Sequence, residues 1–146
     1  MVEELLSNVV VPIAGPDDAA ATVEAALPHV AAAGGVVTAV YVVEKAGGGI
    51  DKASVEQREE LAAEAFAVVE EACADAGIDC DTHVLYGTDV VDAIVEAARD
   101  RDASAIVFSP RAQSRWIDLI TGDLSDRLVT EADRPVVVFP DAEADE

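Results

Sequence analysis

Residues 8–13, Asn8-Val9-Val10-Val11-Pro12-Ile13, form a short unbroken apolar run followed by Ala14-Gly15-Pro16. Apolarity without alternation suits a strand buried on both faces, as a parallel sheet requires. Asp17 and Asp18 offer N-caps to an Ala-rich helix reaching about Ala33, with a kink expected at Pro28 and a stop at Gly34-Gly35. Val36 to Val43 is a second β-branched run, and glycines 47–49 mark a loop. Ser54-Val55-Glu56-Gln57 reads as a capping box. After it, Leu61, Ala65, Val69 and Cys73, with Phe66 and Val68, make a helical stripe ending at Gly77, and acids fill the opposite face.

Cys80 to Tyr86 is a third strand, and Gly87-Thr88-Asp89 is a turn with a cap. Val91, Ile94, Val95 and Ala98 line the next helix, and Ala103 to Phe108 is a fourth strand. Residues 109–122 form an irregular, Arg-bearing connection before a short helix from Asp123 to Ala132 and a fifth strand, Pro135 to Phe139. Strict β-α alternation with five apolar strands predicts a parallel sheet covered by helices on both faces. Ligands on such sheets sit beyond the carboxyl ends of the strands, at the point where the winding reverses. Three connections qualify: Ala14 to Asp17, the stretch after Val43, and Ser109 to Asp123.

The 146 residues suit one domain, which we set at 1–140 with an acidic tail at 141–146. A chain of this length buries roughly 70% of its extended surface, enough for one ordinary core. With 51% hydrophobic but only 4% aromatic residues, that core must be built from Ala, Val, Ile and Leu. The formal net charge of −21 argues against binding nucleic-acid backbones or anionic membranes, which need cationic surface. The start, Met1-Val2-Glu3-Glu4, lacks the pattern of a secretion signal, so a cytoplasmic location is expected. Only Lys45 and Lys52 of the nine cations are Lys. An acidic, Lys-poor surface fits a cytosol of molar salt, where the Debye length shrinks to about 3 Å; the alternative is an acidic mesophilic protein. Cys73 and Cys80 have no C-x-x-C spacing and read as buried thiols, not as a metal or redox site.

Several segments, in order, resemble the universal stress protein A family over nearly the whole chain. They are Val9-Val10-Val11-Pro12-Ile13, Val37-Thr38-Ala39-Val40-Tyr41-Val42-Val43-Glu44, Gly87-Thr88-Asp89-Val90-Val91-Asp92-Ala93-Ile94, Ser104-Ala105-Ile106-Val107-Phe108, and Arg134-Pro135-Val136-Val137-Val138 after the Gly122 helix start. The chain is similar to a haloarchaeal-type member with a degenerate ATP-binding motif. The resemblance implies a Rossmann-like three-layer α/β sandwich: a five-stranded parallel sheet, order 3-2-1-4-5, with two helices on each face. It also implies a stress-response regulatory module, not an enzyme, and a homodimer through Pro135, Val136, Val137, Val138 and Phe139.

The family's nucleotide-binding branch carries G-x-x-G, nine residues, then G-[S/T]. Counted back from Gly122, the first two glycines fall on Ser109 and Ala112, and Asp123 stands where Ser or Thr is wanted. Ala14 replaces an Asp that contacts the nucleotide, so one of five positions is kept. Glycine lets a backbone approach a phosphate with no Cβ in the way. A carboxylate about 5 Å from a phosphate charge, at an effective dielectric near 20, repels it by about 3 kcal/mol. Asp123 alternatively serves as an N-cap for the last helix.

The family-equivalent nucleotide positions are Pro12, Ile13, Ala14, Val42, Ser109, Arg111, Ala112, Arg115, Gly122 and Asp123. Arg111, Arg115, Arg127 and Arg134 concentrate four of the nine cations near this motif. Arg111 and Arg115 could hold ATP or another adenine nucleotide in a rebuilt loop; surface pairing with acids is the alternative. Trp116, the single Trp, marks either a pocket or interface or a partly buried place under the loop. His29 and His83 lie in different elements with no Ser or Cys arranged as a nucleophile, and no P-loop is present.

Overall fold

The computed structural model describes residues 2–13, 16–44, 52–108 and 124–139. Five strands, β1 (Asn8–Pro12), β2 (Val36–Glu44), β3 (Cys80–Gly87), β4 (Ala105–Phe108) and β5 (Val136–Val138), form one parallel sheet in the order β3-β2-β1-β4-β5. Helices α2 (Pro16–Ala32) and α3 (Lys52–Ala76) cover one face; α4 (Val90–Asp100) and α5 (Leu124–Glu131) cover the other. A short helix, α1 (Val2–Leu5), precedes the sheet and had no signal in the apolar pattern.

Strand alternation divides the apolar runs between two cores. Val9, Val11 and Ile13 of the first run, Val37, Ala39, Tyr41 and Val43 of β2, and Ala105 and Val107 of β4 pack under α2 and α3. Val10, Val40 and Ile106 point the other way, onto Val91, Ile94 and Ala98 of α4 and Leu128 of α5. Each fully buried valine contributes about 1.5–3 kcal/mol. The continuous runs are therefore continuous because both faces are covered.

Helix starts differ from the sequence reading. The first long helix begins at Pro16, which suits the first helical position, so Asp17 and Asp18 lie inside its first turn instead of capping it. It also runs on through Pro28 without a break. Helix α3 begins at Lys52, placing the expected capping box within the helix. Helix ends follow the sequence closely. Gly34 (φ +68°) and Gly77 (φ +73°) take the left-handed conformation that closes α2 and α3. A Cβ on Gly35 would stand 2.0 Å from the Leu6 carbonyl oxygen, so only glycine fits there.

The amino ends of the central strands are tied by one hydroxyl. Ser104 Oγ accepts from the Asn8 backbone N–H at 2.9 Å and donates to the Leu5 carbonyl at 2.7 Å. Asn8 Nδ2 in turn donates to the carbonyls of Arg101 and Asp102 at 3.2 and 3.3 Å. Asp102 holds a left-handed φ of 55°, which turns the chain from α4 toward β4.

Candidate functional site

The winding reverses between β1 and β4, so the candidate site is the carboxyl end of that strand pair. Backbone parity explains the shape of this edge. Ile13 N–H donates to Val40 O at 2.9 Å, and Val36 N–H donates to Ser7 O, so odd positions of the first run face β2. Even positions face β4: Asn8 N–H bonds Ser104 Oγ, and Asn8 O accepts from Ser104 N–H at 2.7 Å. Pro12 is even, and a proline has no N–H to offer. The β1–β4 pairing covers Val9↔Ala105 and Val10↔Ile106, whereas β4 continues alongside β5 as far as Phe108↔Val138. Among the described residues, the central pair thus parts one residue pair before Pro12.

Pro12 and Ile13 are buried at this edge, and Val42 is half-buried on β2, packed against the α4–α5 core. The other sequence-predicted positions, Ala14, Ser109, Arg111, Ala112, Arg115, Gly122 and Asp123, lie outside the described residues, as does Trp116.

The amino ends of α4 and α5 reach the same edge, and a charged bridge joins them. Asp89 caps α4 by accepting from Asp92 N–H at 3.0 Å. Its carboxylate also meets Arg127, with Nη1–Oδ2 at 3.1 Å and Nη2–Oδ1 at 3.2 Å. Arg127 Nε and Nη2 donate to Glu131 at 2.9 and 3.2 Å. The Asp92 N–H first, and Arg127 second, hold the Asp89 carboxyl below its ordinary range. Glu131 and Asp89 hold the Arg127 guanidinium more firmly protonated than usual. With its guanidinium shared by two carboxylates, Arg127 is committed to fixing the start of α5. Sequence reasoning saw a cap at Asp89 and an arginine at Arg127 but did not join them across 38 residues. The available signal was topological, since both open helices on the same face of the sheet.

Arg134 lies at the opposite, amino-terminal edge. It donates to Ala103 O and Asp133 at 3.0 Å each, and Asp133 is also held by Arg99 at 3.0 Å. The arginines grouped by sequence therefore do not form one cluster: Arg127 and Arg134 serve opposite ends of the fold. His29 is exposed and stacks on Phe139 with ring centroids 4.9 Å apart, while His83 pairs with Asp81 at 3.1 Å. Among the described residues, no three His, Cys, Asp or Glu side chains are grouped to hold a metal, and no helix is long and apolar enough to cross a membrane.

The sheet order and the reversed winding define a Rossmann-like α/β fold. The model of the universal stress protein family matches residues 6–140, and the chain belongs to that family. Solved structures agree on the fold. A universal stress protein from Archaeoglobus fulgidus in complex with dAMP superposes with a TM-score of 0.68 at 21% identity, covering 91% of this chain and 97% of that one. UspA from Lactobacillus plantarum gives 0.67 at 20% identity, with 92% and 97% covered. A universal stress protein in complex with cAMP gives 0.64 at 19% identity, with 90% and 94% covered. No curated protein matches the chain significantly in sequence.

Proposed function

We propose that this protein is a dimeric, non-enzymatic regulatory module of the stress response that has lost typical ATP binding. The observation that carries the reading is the substitution of four motif positions, Ala14, Ser109, Ala112 and Asp123, around an otherwise family-like fold. Two of these bring a Cβ to places where the family uses glycine, and Asp123 adds a negative charge beside the phosphate path. The domain spans residues 1–140, followed by the acidic tail 141–146. The protein works in a cytoplasm of high salt and binds neither nucleic acid nor membrane. Melting temperature should accordingly rise between ~0.1 M and ~2 M KCl; a flat melt would remove the salt argument.

The dimer forms through Pro135 to Phe139. Strand β5 is an edge strand, and an apolar edge invites pairing. Val138 is 44% exposed, and Val129 on neighbouring α5 is 62% exposed. A monomer mass by light scattering at micromolar concentration in molar KCl would reject this assembly.

Restoring the motif tests the ligand reading. The quadruple variant Ala14→Asp, Ser109→Gly, Ala112→Gly, Asp123→Ser should bind ATP at least tenfold more tightly than the parent, about 1.4 kcal/mol by calorimetry. No gain would show that these four positions are not the cause. A second reading is favoured by the dAMP and cAMP bound to similar structures. It makes the chain an adenine-nucleotide sensor in which Arg111 and Arg115 hold the phosphates, with Pro12, Ile13, Val42 and Gly122 completing the pocket. Tight binding by the parent, lost in Arg111→Ala or Arg115→Ala, would select it.

A further inference from the structure

Helices α2 and α3 pack side by side over the sheet, and a groove of about 300 Å³ runs between them on the outer surface, away from the crevice. Helical spacing builds it. Ala20, Val23 and Glu24 form one stripe on α2, and Val68, Glu71, Ala72 and Asp75 form the facing stripe on α3. The alanines at 20 and 72 are too short to close the seam, so it stays open down to buried Val23 and half-buried Val68.

The lining is aliphatic at the floor and anionic at the rim. Glu24, Glu71 and Asp75 are exposed, and no Lys, Arg or His lines the groove. Among the described residues, none of these three carboxylates takes part in an ion pair. Such a lining complements a cation with an aliphatic body, its methylenes on the floor and its charge at the rim. The volume is that of a small-molecule pocket and falls far short of a protein interface. A second copy of this chain, with its net charge of −21, would be repelled from an anionic rim. Glu71 and Asp75 stand four residues apart on one helix, which sets their Cβ atoms about 6 Å from each other. A chain of four methylenes separates two ammonium groups by a similar span.

We propose that the groove between α2 and α3 binds an aliphatic diamine with a four-carbon chain. Its ammonium groups meet Glu71 and Asp75, its methylenes cover Val23, Val68 and the two alanines, and Glu24 closes the opposite rim. The binding is noncovalent and leaves the diamine doubly protonated.

Titration of the full chain with putrescine, followed by backbone amide NMR shifts in ~1 M KCl, tests the proposal. At that salt the Debye length is about 3 Å, so diffuse attraction to the acidic surface is suppressed. One saturable site per chain is expected, with shifts centred on Val23, Glu24, Glu71, Ala72 and Asp75. Butylamine, which keeps the chain and one charge, should bind about fivefold more weakly, and the double variant Glu71→Gln, Asp75→Asn should lose at least as much for putrescine. Ala20→Leu fills the groove while keeping every carboxylate, and should weaken binding roughly tenfold. Glu96→Gln on α4, over the other face of the sheet, should leave it within about twofold. All of these positions are exposed, so the variants keep the fold. Shifts that fail to saturate, shifts spread over the acids of both faces, or an Ala20→Leu chain that binds as well as the parent would overturn the assignment, leaving only general attraction between amines and an acidic surface.

Discussion

Asp89 does two jobs with one carboxylate, and substitutions can separate them. The cap on α4 uses Oδ1 at 3.0 Å from Asp92 N–H, a contact worth about 1 kcal/mol. The bridge to Arg127 uses both oxygens, but the side chains are 33% and 36% exposed, which limits it to about 0.5–1 kcal/mol. Asp89→Asn keeps an oxygen for the cap and removes the charge, so it should cost about 1 kcal/mol or less. Asp89→Ala loses both and should cost about 2 kcal/mol. Arg127→Met keeps the apolar stem and loses the bridge. In a double-mutant cycle of Asp89→Asn with Arg127→Met, urea unfolding at pH 7 should give a coupling of about 0.5–1 kcal/mol in ~0.1 M KCl. That coupling should shrink in ~2 M KCl, while the Ala-minus-Asn difference, which reports the cap, should persist. If Asn costs as much as Ala, the cap is not what Asp89 contributes. A coupling indifferent to salt would remove charge as its source.

Thr22, fully buried in α2, has a hydroxyl with no hydrogen-bond partner among the described residues. The near-isosteric Thr22→Val should raise stability by about 1 kcal/mol, read as a higher melting temperature; a loss would mean the hydroxyl is satisfied. Gly35→Ala should cost more than about 3 kcal/mol or abolish folding, because its Cβ meets backbone at 2.0 Å. Gly34→Ala has open space and only the left-handed φ to strain it, so about 1 kcal/mol is expected; equal losses at the two sites would contradict the steric account. Arg134 first, and Arg99 second, hold the Asp133 carboxyl down at about 2. Its unfolded value is about 3.9, so its contribution is complete above that pH and disappears as pH falls toward 2. Asp133→Asn should remove that part of the acid limb, measured as urea midpoints at pH 5 and pH 2.5.

The sheet was legible because buried parallel strands leave an unambiguous mark. Val9-Val10-Val11 has no polar alternation, and glycines at 34 and 77 punctuate the helices where left-handed turns are needed. Helix starts were less legible. Lys52 begins α3 two residues before the Ser54 that looked like its cap, since a capping pattern also occurs inside helices. Pro28 stays inside α2 because burial of Ala26, Leu27 and Val30 on either side of it outweighs one missing hydrogen bond. At the site, the motif positions could be counted in sequence. The Asp89–Arg127 bridge could not, because its partners are adjacent only once the sheet has set α4 beside α5.

The Ser104 junction has a consequence for synthesis on the ribosome. Strand β1 emerges first, but its partner hydroxyl lies 96 residues downstream of Asn8. At about 5–20 residues per second, roughly 5–20 s pass before β4 can be added. Throughout that interval β1 can pair only on its β2 side, once β2 has been made, so the ladder edge that β4 will occupy stays open. The strand that ends at the centre of the sheet is, for most of its time on the ribosome, an unprotected apolar edge that must avoid foreign partners until its own arrives.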